Sequence, residues 1–148
     1  MSGHGRYRYV RALAAVATVL LAAGCQSGDR INCTLIGAES GVALTWKPGD
    51  FPAGAHYRLC VDQVCKDRQA QPSDDSLAML RLPMPEVTGE KQVTVRLQVT
   101  DPAADRTVYD RSAPFTLRKH APNGEACGPV VWSTGIRVDP ERGLVSPG

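Results

Sequence analysis

Apolar and polar residues alternate with a period of two along much of the chain. The clearest run is Val93, Val95, Leu97 and Val99, interleaved with Thr94, Arg96 and Gln98, which gives a strand one buried and one wet face. Val42, Leu44 and Trp46 repeat that period, as do Tyr57, Leu59 and Val61. The pattern predicts strands over Ile31 to Ile36, Val42 to Trp46, His56 to Val61, Val64 to Asp67, Leu77 to Leu82, Gln92 to Thr100, Thr107 to Asp110 and Pro114 to Leu117. No segment carries a convincing helical repeat. Lys47-Pro48-Gly49-Asp50, Pro72-Ser73-Asp74-Asp75 and Asp101-Pro102 fall between the strands and favour turns, by restricting φ or by capping the local backbone. Short strands broken by such clusters are the mark of a sandwich or a barrel.

The N-terminus departs from this pattern. From Ala12 to Ala23 every residue but Thr18 is apolar, and Arg6, Arg8 and Arg11 precede the run with no acidic residue among them. The run is shorter than the ~18 residues that cross a bilayer as a helix, so it predicts an export leader over residues 1–24 that is inserted and cut. The rest of the 148 residues suffices for one domain with a modest core. Three of the 17 basic residues lie in the leader, so 14 basic stand against 15 acidic residues beyond it. That balance, with no basic run longer than Arg118-Lys119, argues against a nucleic-acid surface and against electrostatic membrane binding. Only Trp46, Phe51, Tyr57, Tyr109, Phe115 and Trp132 are aromatic beyond the leader, so the core must be mostly aliphatic.

The leader ends in Leu21-Ala22-Ala23-Gly24-Cys25, which resembles the lipobox of bacterial lipoproteins, although the family's usual Leu three places before the cysteine is replaced by Ala22. The resemblance implies a diacylglyceryl thioether on Cys25, which becomes the mature N-terminus and anchors the protein to the outer side of the cell membrane. The other reading is an ordinary secretory signal that leaves Cys25 as a spare thiol. Two or more acyl chains make a stable anchor where one is marginal. Residues 25–30 then form a lipidated tether whose five residues Gln26 to Arg30 reach at most about 18 Å.

Beyond the tether, Val42-Ala43-Leu44-Thr45-Trp46, Tyr57-Arg58-Leu59-Cys60-Val61 and Val93 to Thr100 resemble strands B, C and F of fibronectin type III and related immunoglobulin-like modules. The resemblance covers roughly Ser40 to Leu117 and rests on strand order, spacing and a tryptophan in the second strand. It implies an all-β sandwich over residues 31–119. Residues 120–148 lie outside it and are expected as a C-terminal extension packed on the domain through a disulfide.

Setting Cys25 aside leaves Cys33, Cys60, Cys65 and Cys127, an even number in an exported chain. A two-residue turn at Asp62-Gln63 would set Cys60 opposite Cys65 at a non-hydrogen-bonded position, where side chains approach most closely. Cys33 would then bond Cys127 and hold the tail. Free buried thiols or a metal site are the alternatives, but the spacing is C-x4-C and no histidine pair accompanies it.

No recognised catalytic signature is present in the sequence. Ser40, in Gly37-Ala38-Glu39-Ser40-Gly41, lacks the G-x-S-x-G register, and no Walker or Rossmann glycine pattern is present. His56 and His120 stand alone beyond the leader. Asp74-Asp75 reads as a solvated turn, and Asp101 and Asp105 match no calcium loop. Trp132, in Gly128-Pro129-Val130-Val131-Trp132, is the residue singled out for ligand contact, with packing by a last strand as the plainer role. No cofactor is expected and no enzyme. The expected function is that of a non-catalytic module at the membrane's outer face, binding a protein or cell-wall polymer through loops or a sheet edge. The alternatives are a structural or assembly accessory of an envelope complex, and an enzyme of unrecognised type built on His56 or His120.

Overall fold

A computed structural model describes residues 33–34, 36–70 and 78–147. Among them the protein is all-β. Eight strands follow one another: β1 Gly41–Thr45, β2 His56–Val61, β3 Val64–Gln69, β4 Met79–Pro83, β5 Lys91–Asp101, β6 Arg106–His120, β7 Val131–Asp139 and β8 Gly143–Val145. Their order across the sheet is β3-β2-β5-β6-β7-β1-β4, with β8 paired to β7.

Alternation drives the local structure. Val93, Val95, Leu97 and Val99 of β5 are buried, and so are Tyr57, Leu59 and Val61 of β2 and Val42 and Leu44 of β1. Facing them are Leu80 and Leu82 of β4, Ile136 and Val138 of β7, and Tyr109 and Leu117 of β6, all in one continuous core. Phe51, in the loop after β1, closes one end of that core. Its ring meets Trp46, Tyr57 and Tyr109 edge-on at 5.9, 5.9 and 5.4 Å, while Trp46 and Tyr57 stack at 5.0 Å.

One strand does the work expected of two. The segments Thr107 to Asp110 and Pro114 to Leu117 belong to the single long β6, which runs through Pro114 without a break. The phase of the ladders explains why. Thr94 accepts the Asp62 N–H at 2.8 Å, so Thr94 turns its backbone toward β2. Pro114, its partner across β5 and β6, therefore sits where β6 has no bond to give, and the missing N–H costs the ladder nothing. The last residues of β6, Arg118 to His120, leave β5 and pair with β7 instead.

This handover makes one nearly barrel-shaped sheet of the two layers expected for a sandwich. Residues 120–148, expected as an extension, contribute β7 to its interior, between β6 and β1. β7 lies parallel to β1 and antiparallel to β6. The expected first strand, Ile31 to Ile36, is not one where it is described: Cys33, Thr34 and Ile36 are irregular, and Ile31, Asn32 and Leu35 lie outside the described residues. Asn123 holds that segment in place of a strand partner. Its amide oxygen accepts from Thr34 Oγ1 and Ile36 N at 2.8 and 3.1 Å, and its amide nitrogen donates to Ile36 O and Gly128 O at 2.9 and 2.8 Å.

Candidate functional site

Both disulfides have the anticipated partners. Cys60 and Cys65 face each other across β2 and β3 with Cα atoms 4.0 Å apart, the close approach of a non-hydrogen-bonded pair. Between the strands Asp62 takes a φ of 53°, which aspartate tolerates better than most residues. Cys33 and Cys127, separated by 94 residues, join with Cα atoms 5.5 Å apart. Cys25 and Asp74-Asp75 lie outside the described residues. Trp132 stands in β7, half-buried against the core, and its backbone N–H donates to Ser40 Oγ at 3.0 Å.

His56 begins β2 and His120 ends β6, and among the described residues neither is hydrogen-bonded or ion-paired to a carboxylate. Burial raises the Tyr57 and Tyr109 phenols above their ordinary value. Asp101 caps its own turn by accepting the Ala103 N–H at 2.9 Å. No group of ligating side chains that could hold a metal occurs among the described residues.

Where the barrel should close, it does not. The first and last strands of the sheet, β3 and β4, face each other across a seam. Trp46 donates to Ala78 O at 3.0 Å and Met84 to Ser40 O at 2.8 Å, so the even positions of β4 bond to β1. Met79 and Arg81 therefore turn their backbone N–H and C=O groups into the seam, beside Pro83, which has no N–H. On the other side Ala70 donates to Ala55 O at 3.0 Å, so the even positions of β3 bond to β2 and Cys65, Asp67 and Gln69 present theirs to the seam. The bridge across is a side chain: Lys66 Nζ donates to Arg81 O at 3.2 Å. Directly paired strands lie ~4.8 Å apart, and a bridge made through a four-carbon stem holds these backbones farther apart. Val64 and Met79 are exposed along the gap, at 54% and 44%.

Beside the seam lies the outward face of β4, β1, β7 and the end of β6. The registers set Arg81 next to Ala43 and Ala43 next to Gly135, and set Gly41 next to Ser133 and Ser133 next to Arg118. These small residues form the floor of a groove of about 260 Å³, walled by residues 36–40, Arg81 and His120. Gly41 is obligatory there, since its φ is 143° and a Cβ would stand 2.3 Å from Leu82 O. Arg137, opposite Thr45, extends the same face. Among the described residues no carboxylate pairs with Arg81, Arg118 or Arg137.

Sequence reasoning missed this constellation. The arginines come from three strands far apart in the chain, and only the sheet order makes them neighbours. Lys66 and Asn123 were missed for the same reason, although Asn123 in Pro122-Asn123-Gly124 carries a turn signal that marked the loop. In comparisons with known proteins no family model, curated protein or solved structure matches the chain. The described residues define the class: a disulfide-braced, all-β near-barrel with an open seam and, among those residues, a face whose arginines have no carboxylate partner.

Proposed function

We propose that this protein is an exported lipoprotein, anchored through Cys25, whose domain is a non-catalytic binding module that accepts an extended segment of an envelope protein along the β3–β4 seam. The observation that carries this reading is the pair of facing bare edges. Two rows of backbone donors and acceptors look across a gap bridged by the Lys66 side chain, and strand addition is the mode of recognition that uses such groups. Backbone bonds would supply affinity, and Val64 and Met79 would offer apolar contact to alternate side chains of the incoming strand. The immunoglobulin-like kinship of β1, β2 and β5 belongs to the same proposal. It is supported by their inward rows and the buried Trp46, and such modules bind through edges and loops.

The anchor is tested by intact mass of the membrane fraction with and without reductant. A diacylglyceryl adduct on Cys25 is expected, together with two disulfides, and an unmodified Cys25 overturns the anchoring. For the seam, a photo-crosslinker at Gln69 in the anchored chain should give a defined protein adduct, and the same group at Gln98 on the far side should give none. Met79→Pro removes an N–H that β1 does not use, so the fold is kept while the crosslink is lost. An adduct that survives Met79→Pro, or no adduct at all, sinks strand addition. A stoichiometric complex that persists without the seam would instead favour the assembly-accessory reading.

A further inference from the structure

We propose that the basic face of β4, β1, β7 and the end of β6 docks flat on an anionic bilayer surface and so fixes the orientation in which the seam is presented; this rests on the anchoring of Cys25 proposed above. Three facts support it. Arg81, Arg118 and Arg137 have no carboxylate partner among the described residues. Glu39 is the acid on the groove wall beside Arg81, and Asp50, Asp139 and Glu141 share a second hollow with Arg137, so Arg81 and Arg118 carry most of the positive field. The outward arginines of β2 and β5 are occupied, Arg58 by Asp67 at 3.4 Å and Arg96 by Asp110 at 2.6 Å. The two faces therefore differ in field although the chain beyond its leader is nearly neutral, and total charge does not describe either of them.

The second fact is where the chain leaves the domain. Cys33 is stapled to Cys127, and Asn123 clamps Ile36, so residues 36–40 form a wall of the same groove that holds His120 and Ser133. From Cys33 back to Cys25 is eight residues, at most about 28 Å of chain. A lipid on Cys25 thus keeps this face within reach of the headgroups.

The third is the shape of the face. Its floor is Gly41, Ala43, Ser133 and Gly135, so no large side chain stands between the arginines, and the exposed Ile36 and Met79 lie at its margin. Headgroup attraction acts only within a Debye length of ~8–10 Å, so the floor must lie low for three arginines to be felt together. Each basic side chain at an anionic surface is worth about fivefold, so three favour the docked orientation roughly a hundredfold.

The test uses the full lipid-bearing chain in phosphatidylcholine vesicles with and without phosphatidylglycerol. Phenylglyoxal labelling, read by mass spectrometry, reports each arginine. Labelling of Arg81, Arg118 and Arg137 should slow by about tenfold or more in the anionic vesicles and recover at high salt. Arg106, exposed on the other half of the sheet, should label equally in both. Equal slowing at Arg106, or none at the three, overturns the proposal. Soluble polyphosphate added to neutral vesicles should not reproduce the protection; if it does, the face reads a soluble polyanion and the bilayer assignment fails. Intact mass of the same sample separates the two readings. A lipidated Cys25 without protection sinks the docking face alone, and an unlipidated Cys25 sinks both.

Discussion

The two halves of the curled sheet are built by opposite means. In the half made of β3, β2, β5 and most of β6, sequence neighbours pair as hairpins, the disulfide spans 5 residues, and outward charges satisfy one another through Arg58–Asp67, Lys91–Asp62 and Arg96–Asp110. In the half made of β4, β1, β7 and β8, strands from the two ends of the chain lie side by side in parallel, the disulfide spans 94 residues, and the outward arginines are left without partners. Local pairing satisfies many outward charges of its own half, although Arg68 and Arg106 there have no carboxylate partner among the described residues and the outer edge of β3 is bare. Long-range pairing yields a surface with groups to spare, and the proposed sites lie there and along its open edge.

The sharpest way to probe this contrast is to open each disulfide. Cys33→Ser with Cys127→Ser should cost about 4.7 kcal/mol by the chain-entropy model, and Cys60→Ser with Cys65→Ser about 2 kcal/mol, because the first closes the far longer loop. Urea unfolding with tryptophan fluorescence measures both. Equal losses would mean that β7 is held by its ladders and that the staple constrains little. Next in size is the core that the halves share. Leu44 and Leu97 are both fully buried, one from each half, so Leu44→Ala and Leu97→Ala should each cost about 3 kcal/mol and leave a single unfolding transition. A biphasic curve for Leu44→Ala alone would show two cores instead of one.

The same division decided what the sequence disclosed. Val93 to Val99, Tyr57 to Val61 and the Asp62-Gln63 turn specify their partners within a short stretch, so β2, β3, β5 and the Cys60–Cys65 bond were legible from spacing. β7 was not legible. Its inward row is Trp132, Thr134, Ile136 and Val138, with a hydroxyl where a hydrophobe would mark the period, and Gly135 breaks the outward row. Its neighbour β1 lies some ninety residues away, and periodicity carries no information about a distant partner. Pro114 misled in the other direction. A proline reads as a strand boundary until the ladder phase is known, and here it falls on a position that β5 leaves unbonded. Of the proposed sites, Cys25 rests on its own five-residue signature, whereas Arg81, Arg118 and Arg137 share a face by topology alone.

Smaller effects should follow the charges. Arg96 donates two hydrogen bonds to Asp110, at 2.8 and 2.6 Å, and holds that carboxyl below its ordinary value. Arg96→Gln should lower the urea midpoint slightly, by an amount that shrinks with salt, since exposed pairs contribute little. Arg81→Gln should leave the midpoint where it is, because no carboxylate loses a partner. A larger loss for Arg81→Gln than for Arg96→Gln would reverse the assignment of which face is the more fully paired.

The mildest test is pH, and it exposes an exception within the second half. Asp139, at the end of β7, accepts the backbone N–H groups of Arg142 and Glu141 and two N–H donors of the Arg142 guanidinium. The Arg142 bonds first, and then the others, lower its pKa from 3.8 to about 2. A carboxyl lowered on folding stabilises the folded state fully above its unfolded value, and the contribution fades as pH falls toward the folded one. The loss attributable to Asp139 therefore falls between pH 3.8 and about 2. Asp139→Asn should be less stable than the parent at neutral pH, and the gap should narrow across that window, read as urea midpoints at matched ionic strength. A gap that stays constant down to pH 2 would assign the turn's stability to backbone geometry and not to charge. The arginines nearby would then be no less satisfied than Arg142, and the distinction between paired and unpaired faces would lose its energetic basis at this end of the sheet.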